Sequence, residues 1–279
     1  MTRTPLRLMT AIATAGLLIG ATLPAASAAT QAPTAAPGPT SPGEWWRQGP
    51  ADLVVTYKVA PGARLSFREA IRASLLPRLA RLHAAGDLTS YHVLINRYVD
   101  SKTWDVMALL DFSSPAALWR WRSVEQAAPA GLSPAGLALT SMIETAPGSV
   151  LRSNAAPHRA GDPAPAYLVV PYDYLVSTDE YLRYADGYVI PQVDGWIAAG
   201  ALSGYQLFLP RYAAGREWSA LLVLAYRGDA GLARRDEVTR QVRERLSASP
   251  AWKAYADSKV NLRVEKQPIV ADEMLPNDR

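Results

Sequence analysis

The sequence predicts an α+β fold made of two similar βαββαβ halves whose sheets pack face to face within one chain. Three observations predict it. The chain matches itself at a spacing of 114 residues, both halves show the same order of strands and helices, and the predicted hairpin strands are apolar on both faces. A length of 279 residues is sufficient for two domains of about 110–130 residues each.

The internal match is ungapped over 38 residues. Segments 75–112 and 189–226 are identical at ten of these positions, where composition alone gives about three. The identical positions include four pairs of large side chains: Tyr91 and Tyr205, Arg97 and Arg211, Tyr98 and Tyr212, Trp104 and Trp218. A repeat this long indicates a duplicated domain. We predict the first repeat over residues 51–154, a linker rich in Ala and Pro over 155–166, and the second repeat over 167–279.

The first repeat begins with a strand, a helix and a hairpin. The β-branched run at 52–58 predicts a strand. Apolar residues at helical spacing over 66–85 predict a helix that ends at Gly86. Segments 90–98 and 103–112 predict the two strands of a hairpin around a short polar turn.

A second helical region and a last strand complete this repeat. Ser114 is the predicted N-cap of a helix over 114–126, because Pro115 follows at the first helical position. A short helix from Ser133 then leads to a strand near 149–153. The second repeat follows the same order, and its predicted strands lie near residues 167–172, 203–212, 218–226 and 259–265.

The side chains of the predicted hairpin indicate how the two sheets pack. Tyr91, Val93 and Ile95 lie on one face of a strand, whereas His92 and Leu94 lie on the other, so both faces are largely apolar. Because the two helices of a repeat cover only one face of its sheet, the other face needs a second cover. The sheet of the second repeat is the obvious candidate.

This arrangement resembles the dimeric α/β-barrel superfamily, in which two ferredoxin-like units close sheet on sheet. The resemblance covers about 220 residues and rests on topology and on the segments NRYVDSKTWDVMALLDF and PRYAAGREWSALLVLAY. Members include antibiotic-biosynthesis-monooxygenase-like, EthD-like and NIPSNAP-like proteins. No catalytic motif accompanies the resemblance. With both units in one chain, it implies a monomer with an internal pseudo-two-fold axis in place of the usual homodimer.

The N-terminal residues predict export to the periplasm or the exterior. Two positive charges precede a short apolar run over 9–23, and Ala26, Ser27 and Ala28 provide the small residues of a cleavage site. Residues 1–28 are therefore a predicted signal peptide, too short in its apolar part for an ordinary membrane span. Residues 29–50, rich in Pro and Ala, are a predicted tether.

Composition excludes several classes of function. The chain has no Cys, so it has no disulfide, thiol nucleophile or Cys-ligated metal, and its three His leave little room for a multi-histidine metal site. Removal of residues 1–28 takes away two of the 29 Lys and Arg and none of the 25 Asp and Glu, which lowers the net charge to +2. A nucleic-acid partner is therefore not expected.

His92 is the first candidate for catalysis, and its position corresponds to Gln206 in the second repeat. A His that lines a barrel can take a proton from a phenol or enol. Tyr91 and Arg97 are its candidate catalytic neighbours. The alternative is that His92 is a hydrogen-bonded residue of a packed interior.

Aromatic residues and arginines supply the candidate ligand-binding residues. Arg beside Trp and Tyr can hold an anionic or aromatic ligand or can simply brace each hairpin. The candidates of this kind are Trp104, Tyr205, Arg211 and Trp218. Tyr181 and Tyr184 recur at helical spacing in the second repeat, where they fit either a polar aromatic ligand or an ordinary core.

The resemblance also raises the question of haem, because some members of the superfamily use it. His83, near the end of the first helix, is the candidate axial ligand. The alternative is a helix-end His that offsets the helix dipole.

From these residues we expect an exported protein that binds a small aromatic or amphipathic molecule. The alternative function is a monooxygenase-like oxidoreductase or isomerase, either cofactor-free or haem-dependent, that uses the same barrel or cleft. The two functions predict different interiors. In an enzyme, titratable residues converge on a cavity, whereas in a binding module the barrel is filled.

Overall fold

The computed structural model describes residues 51–157 and 161–275. The predicted signal peptide and the predicted tether lie outside the described residues. Of the helices in these two ranges, none has both the length and the apolar composition required to cross a bilayer.

The first half contains four strands and four α-helices. In chain order the elements are β1 (Asp52–Val59), a 3₁₀ turn (Pro61–Ala63), α1 (Arg64–Ala70), a π-helical turn (Ile71–Leu75), α2 (Leu76–Ala84), β2 (Leu88–Asn96), β3 (Val106–Phe112), α3 (Pro115–Ala127), a 3₁₀ turn (Pro129–Gly131), α4 (Pro134–Leu139) and β4 (Thr140–Ala155). The predicted cap of α3 is confirmed, because the Ser114 hydroxyl accepts a hydrogen bond from the Ala117 N–H at 3.1 Å.

The second half follows the same order with two additional elements. They are β5 (Ala166–Tyr174), α5 (Thr178–Tyr184), a π-helical turn (Ala185–Val189), α6 (Ile190–Ala198), β6 (Leu202–Pro210), β7 (Ala220–Tyr226), α7 (Gly228–Ala233), α8 (Arg235–Leu246), α9 (Pro250–Leu262), β8 (Arg263–Glu265) and β9 (Ile269–Glu273). The starts of the two π-helical turns, of β2 and β6, and of β3 and β7 are each 114 residues apart.

The last strand predicted near 259–265 is wrong over most of its length, because α9 continues to Leu262. The Ser249 hydroxyl accepts a hydrogen bond from the Trp252 N–H, and Pro250 occupies the first turn of the helix. These two residues begin a capped helix that extends into the segment predicted as a strand. The strand that completes the sheet is β9, which follows Pro268.

Eight antiparallel strands form a closed barrel in the order β7-β6-β4-β1-β3-β2-β9-β5, and β5 pairs with β7 to complete the ring. The first half contributes the neighbours β4-β1-β3-β2, and the second half contributes β9-β5-β7-β6. Two seams join the halves, β4 with β6 and β2 with β9. The short strand β8 extends the sheet beside β5.

Apolar residues form three separate clusters. One lies between the helices and strands of the first half, and another between those of the second half. The third fills much of the barrel interior. Its largest buried members are Leu94, Met107, Leu109, Tyr167, Phe208 and Trp218. Both faces of each sheet are thus covered, by helices outside and by the other half inside.

Gly148 lies at the β4–β6 seam, opposite Pro210 of the second half. A Cβ at this position would overlap the Leu209 carbonyl oxygen and the Phe208 ring. Neither group moves freely, since one is strand backbone and the other is part of the interior cluster. The seam therefore requires glycine here.

We predict that Gly148→Ala lowers the free energy of unfolding by about 1–3 kcal/mol, because overpacking forces the seam apart. Gly62→Ala is the matched control, since a Cβ there meets nothing within 4 Å. Urea unfolding of both variants measures the effect. Equal stability of the two variants would contradict the assigned role of the seam.

Candidate functional site

His92 on β2 and Glu273 on β9 form the centre of a polar cluster inside the barrel. The β2–β9 seam places Glu273 opposite Leu94, two residues from His92 on the same face of β2. The His92 Nδ1 atom lies 2.6 Å from Glu273 Oε1. The imidazole thus comes from the first half and its carboxylate partner from the second half.

Tyr167 on β5 is the third member of this cluster. Its hydroxyl donates a hydrogen bond to Glu273 Oε2 at 2.9 Å and lies 3.3 Å from His92 Nδ1. Burial, followed by the charge of Glu273, raises the pKa of Tyr167, so its hydroxyl remains a donor at neutral pH. Both carboxylate oxygens of Glu273 therefore have partners, which fixes the carboxylate against the imidazole.

The surroundings of His92 stabilise its protonated form. Burial alone lowers the pKa of His92, but the hydrogen bond to Glu273 and the negative charges of Glu273 and Asp111 together raise it above its ordinary value. The imidazolium form of His92 is therefore favoured more than that of a free histidine.

A pair of aspartates extends the cluster along the barrel wall. Asp52 on β1 and Asp111 on β3 are direct partners in the strand register. The Ser90 hydroxyl donates to Asp111 Oδ2, and Gln206 Nε2 donates to the same oxygen at 3.2 Å. The Val150 N–H donates to Asp52 Oδ2 at 2.6 Å.

The two aspartates lie in different environments. Burial and, to a smaller extent, the charge of Asp111 raise the pKa of Asp52 to about 7, in spite of the hydrogen bond from Val150. At neutral pH, Asp52 is therefore partly protonated, beside the hydrogen-bonded Asp111.

A cavity of about 330 Å³ opens beside His92. This volume lies at the lower end of the range for small-molecule sites, about 300–1,000 Å³. Its wall combines apolar and polar groups from both halves and from the residues around the β4–β5 connection. The main lining side chains are His92, Leu109, Tyr167, Tyr205, Gln206 and Val223.

Of the candidate catalytic residues, only His92 lines this cavity. The ring of Tyr91 lies on the helix side of the sheet, 6.1 Å from the ring of His83. Arg97 is held by Asp272 at 2.6 Å and by Asp229 at 2.7 Å, so its guanidinium ties the β2–β9 seam to α7. Tyr91 and Arg97 thus occupy structural positions outside the cavity.

The candidate ligand-binding residues divide between the barrel and the helix layer. Tyr205 lines the cavity, although its hydroxyl donates to Asp194 of α6 at 3.1 Å. Trp218 is buried in the interior cluster with its ring 5.9 Å from that of Phe208, and Trp104 packs against the same cluster. Arg211 lies at the β4–β6 seam, where its backbone N–H donates a hydrogen bond to the Pro147 carbonyl oxygen.

Tyr181 and Tyr184 belong to the core between the helices and the sheet of the second half. Both are essentially fully buried, with 1% and 0% of their surface exposed. Their ring centroids lie 6.1 Å apart in a series of aromatic contacts that includes Tyr174 and Tyr188. The structure does not bring them to the His92 cavity.

The placement of His83, the candidate haem ligand, does not fit that role. Its side chain is exposed at the end of α2, outside the barrel, with its ring 6.1 Å from that of Tyr91. We therefore derive no step through haem. Nor do residues 51–157 and 161–275 contain a group of three or more His, Asp or Glu side chains able to hold a metal ion.

The sequence did not predict four residues of the cluster: Glu273, Tyr167, Asp52 and Asp111. Glu273 lies beyond the strand predicted to end the second repeat, and the others were treated only as parts of strands. Asp52 carries a signal that could have been read, since it alternates with interior-facing Val54 on the same face of β1.

The sequence matches no family model and no curated protein. Comparison with solved structures gives matches across most of the chain. The match to an anthrone oxidase-like protein covers 82% of this chain and 92% of that protein's chain, with a TM-score of 0.51 and 12% identity. The match to a proposed monooxygenase from Fusobacterium nucleatum covers 81% of this chain and 93% of the other chain, with a TM-score of 0.50 and 10% identity.

A proposed chlorite dismutase also matches, with a TM-score of 0.45, 12% identity and coverage of 81% of this chain and 95% of its own. The first two matches, with TM-scores of at least 0.50, show the fold: this chain has the closed antiparallel α+β barrel of these two structures. The sequence predicted a barrel of this kind.

We predict that Asp52→Asn stabilises the protein at high pH. Because the folded-state pKa of Asp52 is raised above its unfolded value, folding favours the protonated form, and stability falls as pH rises from about 4 to 7. Asn keeps the acceptor for Val150 without the charge. Urea unfolding should show a gain of roughly 2 kcal/mol at pH 8.5 and almost none at pH 3.

The control for this experiment is Asp257→Asn, whose side chain is exposed on α9. Its effect should stay within about 0.5 kcal/mol at both pH values. A gain for Asp52→Asn that is the same at pH 3 and pH 8.5 would contradict the burial of a charge at this position.

Proposed function

We propose that this protein is a monooxygenase-like enzyme that removes a proton from a small aromatic phenol or enol inside the barrel cavity. The observation that carries the proposal is the 2.6 Å contact between His92 Nδ1 and Glu273 Oε1 at the cavity wall. Titratable groups converge on a cavity here, which is the arrangement expected of an enzyme rather than of a filled binding module.

In this proposal Glu273 orients His92 and stabilises its charge. With the Nδ1–H donated to Glu273, the neutral ring has its lone pair on Nε2, which is the atom that accepts the substrate proton. The imidazolium that forms gains from the charges of Glu273 and Asp111. Tyr167 keeps the carboxylate in place through its second oxygen.

The cavity wall favours an aromatic substrate with a hydroxyl or carbonyl group. Leu109 and Val223 offer apolar contact, while Gln206 and Tyr167 offer polar groups. The enolate formed by proton removal is common to isomerisation and to oxidation by dioxygen without a cofactor. Anthrone is a suitable probe, because its enolate reacts with dioxygen to give anthraquinone and water: C₁₄H₁₀O + O₂ → C₁₄H₈O₂ + H₂O.

The likeness to an anthrone oxidase-like protein motivates the choice of this probe. Oxidation by dioxygen is the main proposal, and isomerisation would use the same proton removal without oxygen uptake. Anthrone and a set of hydroxylated naphthalenes, assayed with an oxygen electrode and by absorbance, distinguish the two reactions.

We further propose that the chain arose by duplication of a ferredoxin-like unit and works as an exported monomer. Support for the duplication comes from the 114-residue spacing shared by the strands and the two π-helical turns. Support for export comes from residues 1–28 of the sequence. Sedimentation of the secreted protein tests whether it is a monomer, and sequencing of its N-terminus tests the proposed export.

We predict that His92→Ala lowers kcat/KM for anthrone oxidation by about 10²–10⁴-fold, because the general base is lost. His83→Ala is the matched control and should leave the rate within about twofold, since His83 lies outside the cavity. No haem or flavin is added. Equal rates for His92→Ala and the wild type would overturn the proposed role of His92.

Glu273→Gln should move the rising limb of the pH profile of kcat/KM to lower pH. Without the carboxylate charge, imidazolium is less stable, the pKa of His92 falls, and the basic form exists at lower pH. The plateau rate should also fall, because Gln holds the ring less firmly. Profiles from pH 5 to 9 measure both effects, and an unmoved limb would contradict the pairing.

A further inference from the structure

A second polar site lies in the second half, between α8 and the sheet, outside the barrel. Arg235, Thr239 and Arg243 follow one another at intervals of four residues along α8. Arg235 and Arg243 line both a small inner cavity of about 50 Å³ and an open groove of about 840 Å³ between α8 and α9. Arg263 lines the inner cavity from the opposite side.

Several buried donors at this site have no hydrogen-bond partner among the described residues. They are Trp196 Nε1, Arg235 Nε and Thr239 Oγ1. Trp196 lines the inner cavity and is 8% exposed. In contrast, the indole N–H groups of Trp121 and Trp252 donate to Glu125 and to the Tyr188 carbonyl oxygen. Buried donors are ordinarily bonded, so the unpaired donors of Trp196 and Arg235 at the inner cavity indicate a missing acceptor there.

Positive charge exceeds negative charge around the inner cavity. Its charged lining residues are Arg235, Arg243, Arg263 and one acid, Glu265, which pairs with Arg263 at 3.3 Å. Arg235 pairs with Asp236 at the groove. Arg243 donates to the neutral Gln192 at 2.7 Å and has no carboxylate partner in the described part of the chain.

The groove extends this site toward solvent and contains both apolar and charged surface. Trp252 and Ala256 of α9 provide its apolar part. Its remaining charges are paired within each helix: Arg240 with Glu244, and Lys253 with Asp257. The groove therefore adds no large net charge of its own, and Arg243 supplies the excess.

We propose that this site binds an organic carboxylate, whose head group enters the inner cavity while its apolar body lies along the groove. A carboxylate in the inner cavity accepts charge-assisted hydrogen bonds from guanidinium groups and supplies the acceptor that the Trp196 indole lacks. The inner cavity admits a carboxylate group but not an aromatic ring, which the groove accommodates beside Trp252. The site is separate from the His92 cavity and independent of the function proposed for it.

Calorimetric titration of the wild type at constant ionic strength tests the proposal with three probes: sodium benzoate, sodium phosphate and sodium chloride. We expect saturable 1:1 binding of benzoate. Arg235→Gln should weaken it by about 10- to 100-fold through loss of a charge-assisted contact. Arg245→Gln removes the same charge from the same helix outside both cavities and should change the affinity less than about twofold.

Trp196→Phe provides an independent variant, since it removes the indole N–H and keeps an aromatic ring in the core. It should weaken benzoate binding by about 3- to 10-fold. Circular dichroism and thermal unfolding verify that each variant is folded. The proposal is overturned if benzoate does not saturate the wild type, if Arg235→Gln and Trp196→Phe both leave its affinity unchanged, or if phosphate or chloride binds and benzoate does not.

Discussion

The closing of two apolar sheet faces against each other is the constraint on which the rest of this structure depends. Helices cover only one side of each four-stranded sheet, and the seams β4–β6 and β2–β9 bury the other sides together. The same closure builds the candidate site. It brings His92 of one half within hydrogen-bond distance of Glu273 of the other, which neither half provides alone.

The interior cluster is mostly apolar, and the polar region around His92 reflects a balance of burial and charge. Asp52, Asp111 and Glu273 are three carboxyl groups near a single imidazole. Burial and, to a smaller extent, the charge of Asp111 raise the pKa of Asp52 to about 7. The region therefore combines an imidazole whose pKa is raised with a carboxyl group that titrates near neutral pH.

Local patterns predicted the hairpins, the capped helices and the barrel, because alternation, N-caps and strands that are apolar on both faces are visible in the sequence. They did not predict the last strand. In the first half β4 is continuous over 16 residues, whereas in the second half β8 and β9 are separated at Pro268, which has no N–H for the ladder. Glu273 lies after that break, so the partner of His92 was missed.

The sequence could not assign roles to Tyr181, Tyr184 and Arg97. Their helical or loop patterns are compatible with a ligand-binding site and with a structural position alike, and only tertiary packing distinguishes the two.

NMR titration of His92 in the ¹⁵N-histidine-labelled protein tests the central claim most directly. The chain has three histidines, so His83→Asn and a substitution at residue 158 complete the assignment. The account predicts a His92 pKa above 6.5 and, in the neutral ring, a proton on Nδ1. A pKa at or below 6.5, or a neutral ring with its proton on Nε2, would contradict the His92–Glu273 pairing and the function built on it.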